Sequence, residues 1–260
     1  MKFKFEESHN SLDVELSGDR GEELKLILWG LLENALKKVG RTREEFKGLI
    51  SIESTLPLGA GLGASAALCV GFGQIFSYLG WIEDKNIYEF SRELEGLFHG
   101  ESSGVDIAIA LEGVGLRFMR GGERTSLIQQ WSPPLYLSYS GKRGVTSDCV
   151  KKVMALHSRS AGLGEKVDAQ MREAVELAEK SLAMNRENGF TLLAQSLDKA
   201  RDCFYQWELC DGALDQHMRE LSQAGAYAVK PTGSGGGGYV LSLWQNEPPA
   251  DLRANMISLF

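Results

Sequence analysis

Cysteine and histidine are both scarce in this chain of 260 residues, with four of each. No two cysteines form a C-x-x-C pair, and Cys203 and Cys210 would lie about 10 Å apart on one helix, too far for a bridge. This pattern excludes a disulfide framework and is typical of reduced thiols in the cytoplasm, where we expect the protein to be. The histidines are scattered along the chain, which excludes a structural metal cluster of the zinc type.

The chain also lacks an excess of positive charge, because 28 basic residues stand against 35 acidic ones for a formal net charge of −7. This balance excludes nucleic acid or an anionic membrane as the main partner. At the amino terminus, Phe3 and Phe5 alternate with charged residues, which indicates a strand and not a signal peptide. With 43% hydrophobic residues, the chain can bury a sizeable core in one large domain or two modest ones.

Charged residues are absent between Glu53 and Glu83, so a membrane span has to be considered. The interval contains Pro57 and six glycines, and its continuous helical part is near the lower limit of about 17 residues for spanning. It also contains Gln74 and Ser77. We therefore expect a buried core helix and no membrane contact.

That interval opens with a glycine-rich stretch, and its candidate ligand-binding residues are Pro57, Gly59, Ala60, Gly61, Leu62, Gly63, Ala64 and Ser65. Glycines at alternate positions let the backbone turn tightly, and the small and apolar run from Ala66 to Leu79 predicts a buried helix. The free N–H groups and the dipole of a helix start attract anions, so a phosphate chain is the expected ligand. Ser65 lies in the first turn, where its hydroxyl could reach a phosphate-bound Mg²⁺.

Other interpretations of this turn stay open. The P-loop is excluded because no lysine lies nearby. The dinucleotide pattern G-x-G-x-x-G/A is satisfied by Gly59, Gly61 and Ala64. Glu83 or Asp84 follows about twenty residues later, as a ribose-binding acid would. A tight turn without any ligand is also possible.

The first half of the chain predicts alternating strands and helices. Residues 2–17 have the pattern of a β-hairpin, and residues 24–39 have that of an amphipathic helix ending at Gly40. A strand from Leu49 to Thr55 then leads into the glycine turn. A further helix from Lys85 to about Phe98, with Asp84 as a possible cap, comes next.

The second half is mostly helical beyond a boundary at residues 131–134. A strand at 135–139 precedes helices predicted at 147–159, 166–185, 190–205 and 211–223. Strands at 226–229 and 239–244 flank a second glycine loop, Lys230–Gly238. A flexible linker would be oddly placed between two apolar strands, so we expect a functional backbone loop.

Between the two halves, His99 and Asp106 flank a short polar segment before the apolar run Ile107–Leu111. An isolated carboxylate before such a run is as often a helix cap as a functional group. A lone histidine is more often structural than catalytic. The residues alone leave both alternatives open.

Together, three stretches resemble the GHMP small-molecule kinases, and among their subfamilies the mevalonate kinases. Pro57–Ala67 is similar to the family's phosphate loop P-x-x-x-G-L-G-S-S-A-A, and Lys230–Gly238 is similar to its carboxyl-terminal glycine loop. Glu95, His99-Gly100 and Ser103-Gly104-Val105-Asp106 are similar to the pattern E-x-x-x-H-G-x-P-S-G-x-D. The segment with Thr146 and Ser147 also resembles the one that follows the family's domain junction.

The resemblance implies a two-domain α/β fold. Residues 1–134 would form a ribosomal-protein S5-like amino-terminal domain of the α+β type, and residues 135–260 a ferredoxin-like carboxyl-terminal domain. It also implies ATP and Mg²⁺ as cofactors, with Ser65 and Glu95 on the metal and Asp106 as the catalytic carboxylate. The residues expected near the substrate or in the floor of the site are His99, Ser103, Gly104, Thr146, Thr232, Gly233, Gly235 and Gly236.

Three departures from the family pattern affect these expectations. Ala64 replaces the first serine of the phosphate loop, and Glu101-Ser102 replaces a neutral residue and a proline. The family's amino-terminal P-G-K segment, which supplies a catalytic lysine, has no counterpart. We therefore expect either that the coding region continues upstream of Met1 or that this form has reduced activity, unless Lys142 or Lys230 takes that lysine's place.

The leading hypothesis is a kinase that phosphorylates the hydroxyl of a small acid, with mevalonate as the first candidate. Phosphomevalonate, homoserine and sugars are alternative acceptors. A catalytically impaired nucleotide-binding module and a dinucleotide oxidoreductase are the other hypotheses. We expect no nucleic-acid partner, and a homodimer is compatible with all of these hypotheses.

Overall fold

The chain folds into two compact units, residues 1–125 and 126–260, in a computed structural model. The structure describes residues 1–17, 21–54, 62–99 and 102–260, except the side chains of residues 21–24, 26, 98 and 99. The predicted boundary after residue 134 falls within the second unit. In the described part of the chain, no helix has the length and apolarity needed to cross a membrane.

The first unit packs helices on a three-stranded sheet. Its elements in chain order are β1 (Lys2–Ser11), β2 (Asp13–Ser17), α1 (Gly21–Lys38), β3 (Lys47–Glu53), α2 (Ala64–Tyr78), a 3₁₀ turn (Asp84–Asn86), α3 (Ile87–His99), α4 (Val105–Glu112), β4 (Leu116–Phe118) and β5 (Arg124–Ser126), whose last residue lies just past the division. The core lies between sheet and helices and includes Leu28, Leu32, Phe46, Ile50, Ile52, Leu68, Phe72, Phe76, Leu94 and Ile107, all at most 2% exposed.

The predicted hairpin over residues 2–17 is wrong, although both of its strands exist. The sheet order is β1-β3-β2: β1 pairs antiparallel with β3 and β2 pairs parallel with it. Helix α1 supplies the crossover that a parallel pair requires. Alternating hydrophobicity predicts that a strand exists and which face is buried, but it does not specify the pairing partner.

The second unit covers one four-stranded antiparallel sheet with helices. Its elements are β6 (Leu135–Tyr139), α5 (Thr146–Arg159), α6 (Ala161–Leu182), α7 (Arg186–Gln206), α8 (Gly212–Gln223), β7 (Ala228–Pro231), β8 (Tyr239–Leu243), α9 (Ala250–Arg253) and β9 (Met256–Ser258). The strand order is β7-β8-β6-β9. Helix α7 ends at Gln206, so Cys203 and Cys210 do not share a helix, and both are free thiols.

Candidate active site

The described end of the first glycine turn leads directly into α2. Pro57, Gly59, Ala60 and Gly61 lie outside the described residues, whereas Leu62 to Ser65 lie within them. Gly63 precedes the helix with φ 70°, a conformation that side chains other than glycine's rarely adopt. A Cβ on Gly63 would stand 3.8 Å from the Cβ of Asp106. The predicted catalytic carboxylate therefore lies against the start of the predicted phosphate-binding helix.

Helices α2 and α3 run side by side in opposite directions, and small residues let them approach closely. Ser91 Oγ donates a hydrogen bond to the carbonyl oxygen of Cys69 at 3.2 Å. Ser65 Oγ faces Glu95 Oε1 at 3.5 Å. Ser65 and Cys69 are four residues apart on α2, and Ser91 and Glu95 are four residues apart on α3. Residues with this spacing lie on one face of a helix. The packing of the two helices thus brings the two predicted metal ligands together.

Glu95 is a buried carboxylate, 5% exposed. It accepts hydrogen bonds from Ser65 Oγ and, on its other oxygen, from Ser102 Oγ. Ser102 Oγ in turn accepts the backbone N–H of Gly104 at 3.1 Å. These bonds connect the buried carboxylate to the residue that caps α4.

Asp106 does not cap that helix. Gly104 is the cap residue, and Asp106 lies in the first turn of α4 with an exposed side chain. The favourable interaction between a carboxylate and a helix start still applies. An exposed carboxylate beside Gly63 is also well placed to meet a ligand bound at the start of α2.

The oxygen atoms around Ser65 suit a hard divalent cation. Mg²⁺ prefers oxygen ligands and is usually held by one or two carboxylates together with substrate phosphates and water. Burial, and secondarily the charge of Glu95, raise the pKa of the nearby Cys69 thiol. This thiol therefore stays neutral and does not compete as a ligand. The hydroxyl and carboxylate at this position fit the implied Mg²⁺.

His99 and Ser103, the two other predicted site residues of the first unit, lie at the end of α3 and just before α4. Helix α3 ends at His99, whose side chain lies outside the described residues. Ser103 is exposed, and its Oγ accepts the N–H of Val105 at 3.4 Å. Ser102 and Ser103 also line a small basic pocket of about 100 Å³ together with Arg92 and Arg120. Sequence analysis did not find these arginines, because they lie in separate elements and match no motif.

The second glycine loop is held closely by its surroundings. Gly236 N donates to Leu209 O at 2.9 Å, and Gly238 N donates to Lys142 O at 2.6 Å. The Cys149 thiol donates to Gly235 O at 3.3 Å. Gly236 has φ 72°, and a Cβ there would meet the Cys149 sulfur at 2.7 Å. Only glycine fits this position, so the loop is a fixed structure and not a linker.

The structure brings several predicted site-floor residues of the second unit together. Ser234 Oγ donates to Thr146 Oγ1 at 3.3 Å. Thr232 Oγ1 donates to Tyr239 O at 2.8 Å, closing the base of the loop. Thr146 and Gly233 to Gly236 therefore form one surface, while the hydroxyl of Thr232 is used within the loop.

The two candidate lysines have different surroundings. Lys142 Nζ donates to Asp211 Oδ1 at 3.0 Å, and this bond is the main cause that lowers the pKa of Asp211. Lys230 Nζ donates to Pro231 O at 2.8 Å. Burial lowers the pKa of Lys230 to about 8.

The dinucleotide interpretation does not fit the structure. Helix α2 has 15 residues and is therefore about 22 Å long. Asp84 accepts a hydrogen bond from Ser77, near the end of α2 opposite the glycine turn. Glu83 is adjacent to Asp84 and pairs with Lys85 at 2.6 Å. Neither acid can hold the ribose of a dinucleotide whose phosphates bind at the glycine turn.

Comparison with known proteins gives matches over most of the chain. A family model described as the GHMP kinases N terminal domain matches residues 27–114, and one described as GHMP kinases C terminal matches residues 171–258. Mevalonate kinase of Pyrococcus horikoshii is 27% identical over 233 residues, covering 87% of this chain and 67% of the relative. Mevalonate kinase of Thermococcus sibiricus is 27% identical over 230 residues, covering 86% of this chain and 68% of the relative. The chain thus spans about two thirds of the length of these curated relatives.

The solved structures include a close fold match. The crystal structure of L. major mevalonate kinase in complex with R-mevalonate has a TM-score of 0.76 and 19% sequence identity, and the match covers 97% of this chain and 78% of that one. At this identity the likeness concerns the fold. It agrees with the two units and the mixed α/β architecture described above.

Proposed function

The chain belongs to the GHMP kinase family, and on that premise we propose that it transfers the γ-phosphoryl group of ATP to a hydroxyl of a small acid, with mevalonate as the first candidate. Its relatives named above are mevalonate kinases. One observation carries the proposal: the packing of α2, α3 and α4 places Ser65 beside Glu95 and Asp106 beside Gly63. The predicted phosphate-binding helix start, the two predicted cation ligands and the predicted catalytic carboxylate thus lie close together, which supports the proposal.

Each group has a role that phosphoryl transfer needs. The free N–H groups at the start of α2 bind phosphate oxygens. Ser65 and Glu95 would hold Mg²⁺, which supplies neutralisation of charge on the phosphates when bound. Asp106 orients the acceptor hydroxyl and accepts its proton. The reaction demands mainly positioning and charge compensation, and these residues supply both.

An acceptor panel tests this proposal. ATP consumption is measured with mevalonate, phosphomevalonate, homoserine and galactose, and Asp106→Asn is the matched inactive control. We expect consumption that depends on mevalonate and on Asp106. ATP consumption with another acceptor instead of mevalonate would support the proposed kinase activity and would show that mevalonate is not the substrate.

Ligand-induced stabilisation separates the remaining hypotheses. A ligand that binds the folded state must raise the melting temperature. ATP with Mg²⁺ should therefore raise it and NAD should not. Stabilisation by ATP without turnover on any acceptor would indicate a nucleotide-binding module, and stabilisation by NAD alone would overturn the proposal.

A further inference from the structure

Helices α5, α6 and α7 of the second unit line a cavity of about 560 Å³ that is open to solvent on one side. Its walls are almost wholly apolar and include Val153, Met154, Met171, Ala174 and Leu197. Small-molecule sites in proteins commonly measure about 300–1,000 Å³ and have mostly apolar walls with a few polar groups. The cavity has the size and lining of a ligand site, and none of its walls comes from Ser65, Glu95 or Asp106.

Lys230 provides a cation in this apolar wall. Its ammonium donates to the Pro231 carbonyl at 2.8 Å and lies 5.7 Å from the ring centre of Phe204. In the described part of the second unit, no carboxylate pairs with it, and burial is the one cause that lowers its pKa. A buried charge without a counter-ion is costly, so an anion at this position would be stabilised.

Trp207 adds an aromatic side chain to the wall. It lines the same cavity, and its indole Nε1 is buried without a hydrogen-bond partner among the described residues. Buried indole N–H groups normally find an acceptor. The Trp207 N–H has almost no accessible surface and does not face the open space, so the cavity combines an extended apolar surface with one cation, the Lys230 ammonium, which donates to the Pro231 carbonyl.

We propose that this cavity binds a small amphiphilic anion, a single aliphatic chain that ends in a carboxylate or a phosphate. The chain lies against the walls of α5, α6 and α7, and the anionic head meets the ammonium of Lys230. Gly233 and Ser234 line the cavity as well, so the bound molecule would contact the second glycine loop. The inference stands on this cavity alone and is independent of the proposed kinase activity.

Calorimetric titration of the full chain, without ATP or acceptor, tests the binding directly. Decanoate and decyl phosphate are the two probes, and they distinguish a carboxylate from a phosphate head. Acetate and inorganic phosphate test the head alone, decanol tests the chain alone, and decyltrimethylammonium reverses the charge. We expect saturable one-to-one binding of at least one anionic probe, with the cation and the isolated heads not binding.

Two variants test the assignment of head and chain. Lys230→Met keeps the length of the side chain and removes its charge, so the better anionic probe should bind about tenfold or more weakly while decanol is unaffected. Val153→Phe fills the cavity from α5 and should weaken both that probe and decanol. Lys166→Met, an exposed lysine on α6, is the matched control and should change nothing.

Several outcomes would overturn the proposal. These are equal affinity for the cationic and anionic probes, undiminished binding by the Val153→Phe protein, and an equal effect of the two lysine variants. Absence of binding by all probes would also overturn it. Circular dichroism checks the folding of each variant, and if Lys230→Met does not fold, the charge-reversed probe and Val153→Phe still decide the question.

Discussion

Asp106 and Ser65 lie at the same place and are expected to fail in different ways. Asp106→Asn removes the proposed proton acceptor and leaves the start of α2 intact, so turnover should fall about a hundredfold or more with nucleotide affinity nearly unchanged. Ser65→Ala removes a proposed metal ligand, so it should raise the Mg²⁺ concentration needed for half-maximal rate. Steady-state kinetics at varied ATP and Mg²⁺ distinguish the two effects.

A control for the carboxylate is available in the second unit. Asp148 also lies in the first turn of a helix, is exposed, and pairs with Lys151 at 3.3 Å. Asp148→Asn should keep full turnover. If Asp106→Asn is as active as Asp148→Asn, Asp106 has no catalytic role.

Ser102 is predicted to position Glu95. It donates to one carboxylate oxygen while Ser65 contacts the other. Ser102→Ala removes one hydrogen bond to a buried carboxylate, which should cost about 1–3 kcal/mol of folding stability. It should also raise the Mg²⁺ requirement, as is expected for Ser65→Ala and Glu95→Gln, because all three changes affect one set of oxygen atoms.

Ser103→Ala is the matched control for this variant, since Ser103 is exposed and, among the described residues, its hydroxyl accepts the N–H of Val105 and makes no hydrogen bond with Glu95. Denaturant unfolding and Mg²⁺ titration of activity are measured for both variants. An unchanged Mg²⁺ requirement in Ser102→Ala, with stability alone reduced, would make Ser102 purely structural.

At the scale of elements, the contact between α2 and α3 sets the geometry of the site. Gly73 permits this contact because a Cβ there would stand 2.8 Å from Ser91 Oγ and 3.1 Å from the Cγ2 of Ile87. Overpacking of a close helix pair costs about 1–3 kcal/mol. Ser65 lies about two turns before Gly73 on α2, and Glu95 lies one turn after Ser91 on α3. The distance between Ser65 and Glu95 therefore depends on how closely the two helices pack at Gly73.

Gly73→Ala should therefore destabilise the first unit despite the better helix propensity of alanine. We expect a net loss of up to about 2 kcal/mol, since the propensity gain offsets about 1 kcal/mol of the overpacking cost. Gly73→Ala combined with Ser91→Ala should destabilise less than the sum of the single changes, because the second change removes the atom that is struck. Denaturant unfolding of the four proteins measures this coupling.

Gly30 provides the comparison for this cycle. It lies inside α1, and a Cβ there would meet nothing within 4 Å. Gly30→Ala should be neutral or stabilising by up to about 1 kcal/mol. If Gly73→Ala behaves in the same way, the close contact does not control the stability of the unit.

At the scale of the whole molecule, Lys230 makes stability depend on pH. Burial lowers its pKa to about 8 in the folded protein, against an ordinary value of 10.5 in the unfolded chain. Between these values the unfolded chain binds more protons, so stability rises with pH in this window and the full penalty applies below about pH 8. Lys230→Met should thus stabilise the protein at pH 7 by about 1–2 kcal/mol. This figure is smaller than the full pKa shift would give, because the Lys230 side chain keeps some exposure to solvent.

The gain should shrink as the pH approaches 10 and should be absent from Lys166→Met. Unfolding in denaturant at several pH values, with both variants beside the parent chain, measures it. A gain of the same size at all pH values would mean that packing, and not the charge, explains the effect.

The sequence predicted the two-domain α/β kinase fold and the family, and both are confirmed. Helices such as α2 and α6 were predicted within a few residues because their apolar periodicity is long. The predicted hairpin was wrong because β1 and β2 both pair with β3. The alternation of apolar and polar residues in β1 and β2 does not reveal that partner. Strand β9 was not predicted, since three residues are too few to show a period.

For the candidate site, the resemblance to the family's motifs implied Glu95 and Asp106, the position of Ser65 in the first turn of a helix indicated that residue as well, and the role of each stays a prediction. Ser102, Arg92 and Cys149 were not predicted as partners. Each of them contacts its neighbour through tertiary packing or a turn, which no motif encodes. The cavity beside Lys230 was equally invisible, because apolar periodicity is the same whether a helix faces another helix or an open space.

The position of β3 between β1 and β2 also fixes an order of events in folding. Lys2 pairs with Glu53, and Asp13 pairs with Leu49, so the ladders that β1 and β2 form among the described residues both wait for residues 47–53. Pairings so distant along the chain are slow to form and leave strand edges open meanwhile. During synthesis, these two ladders cannot form until β3 has been made, and this stage is where we expect aggregation and chaperone binding to compete with folding.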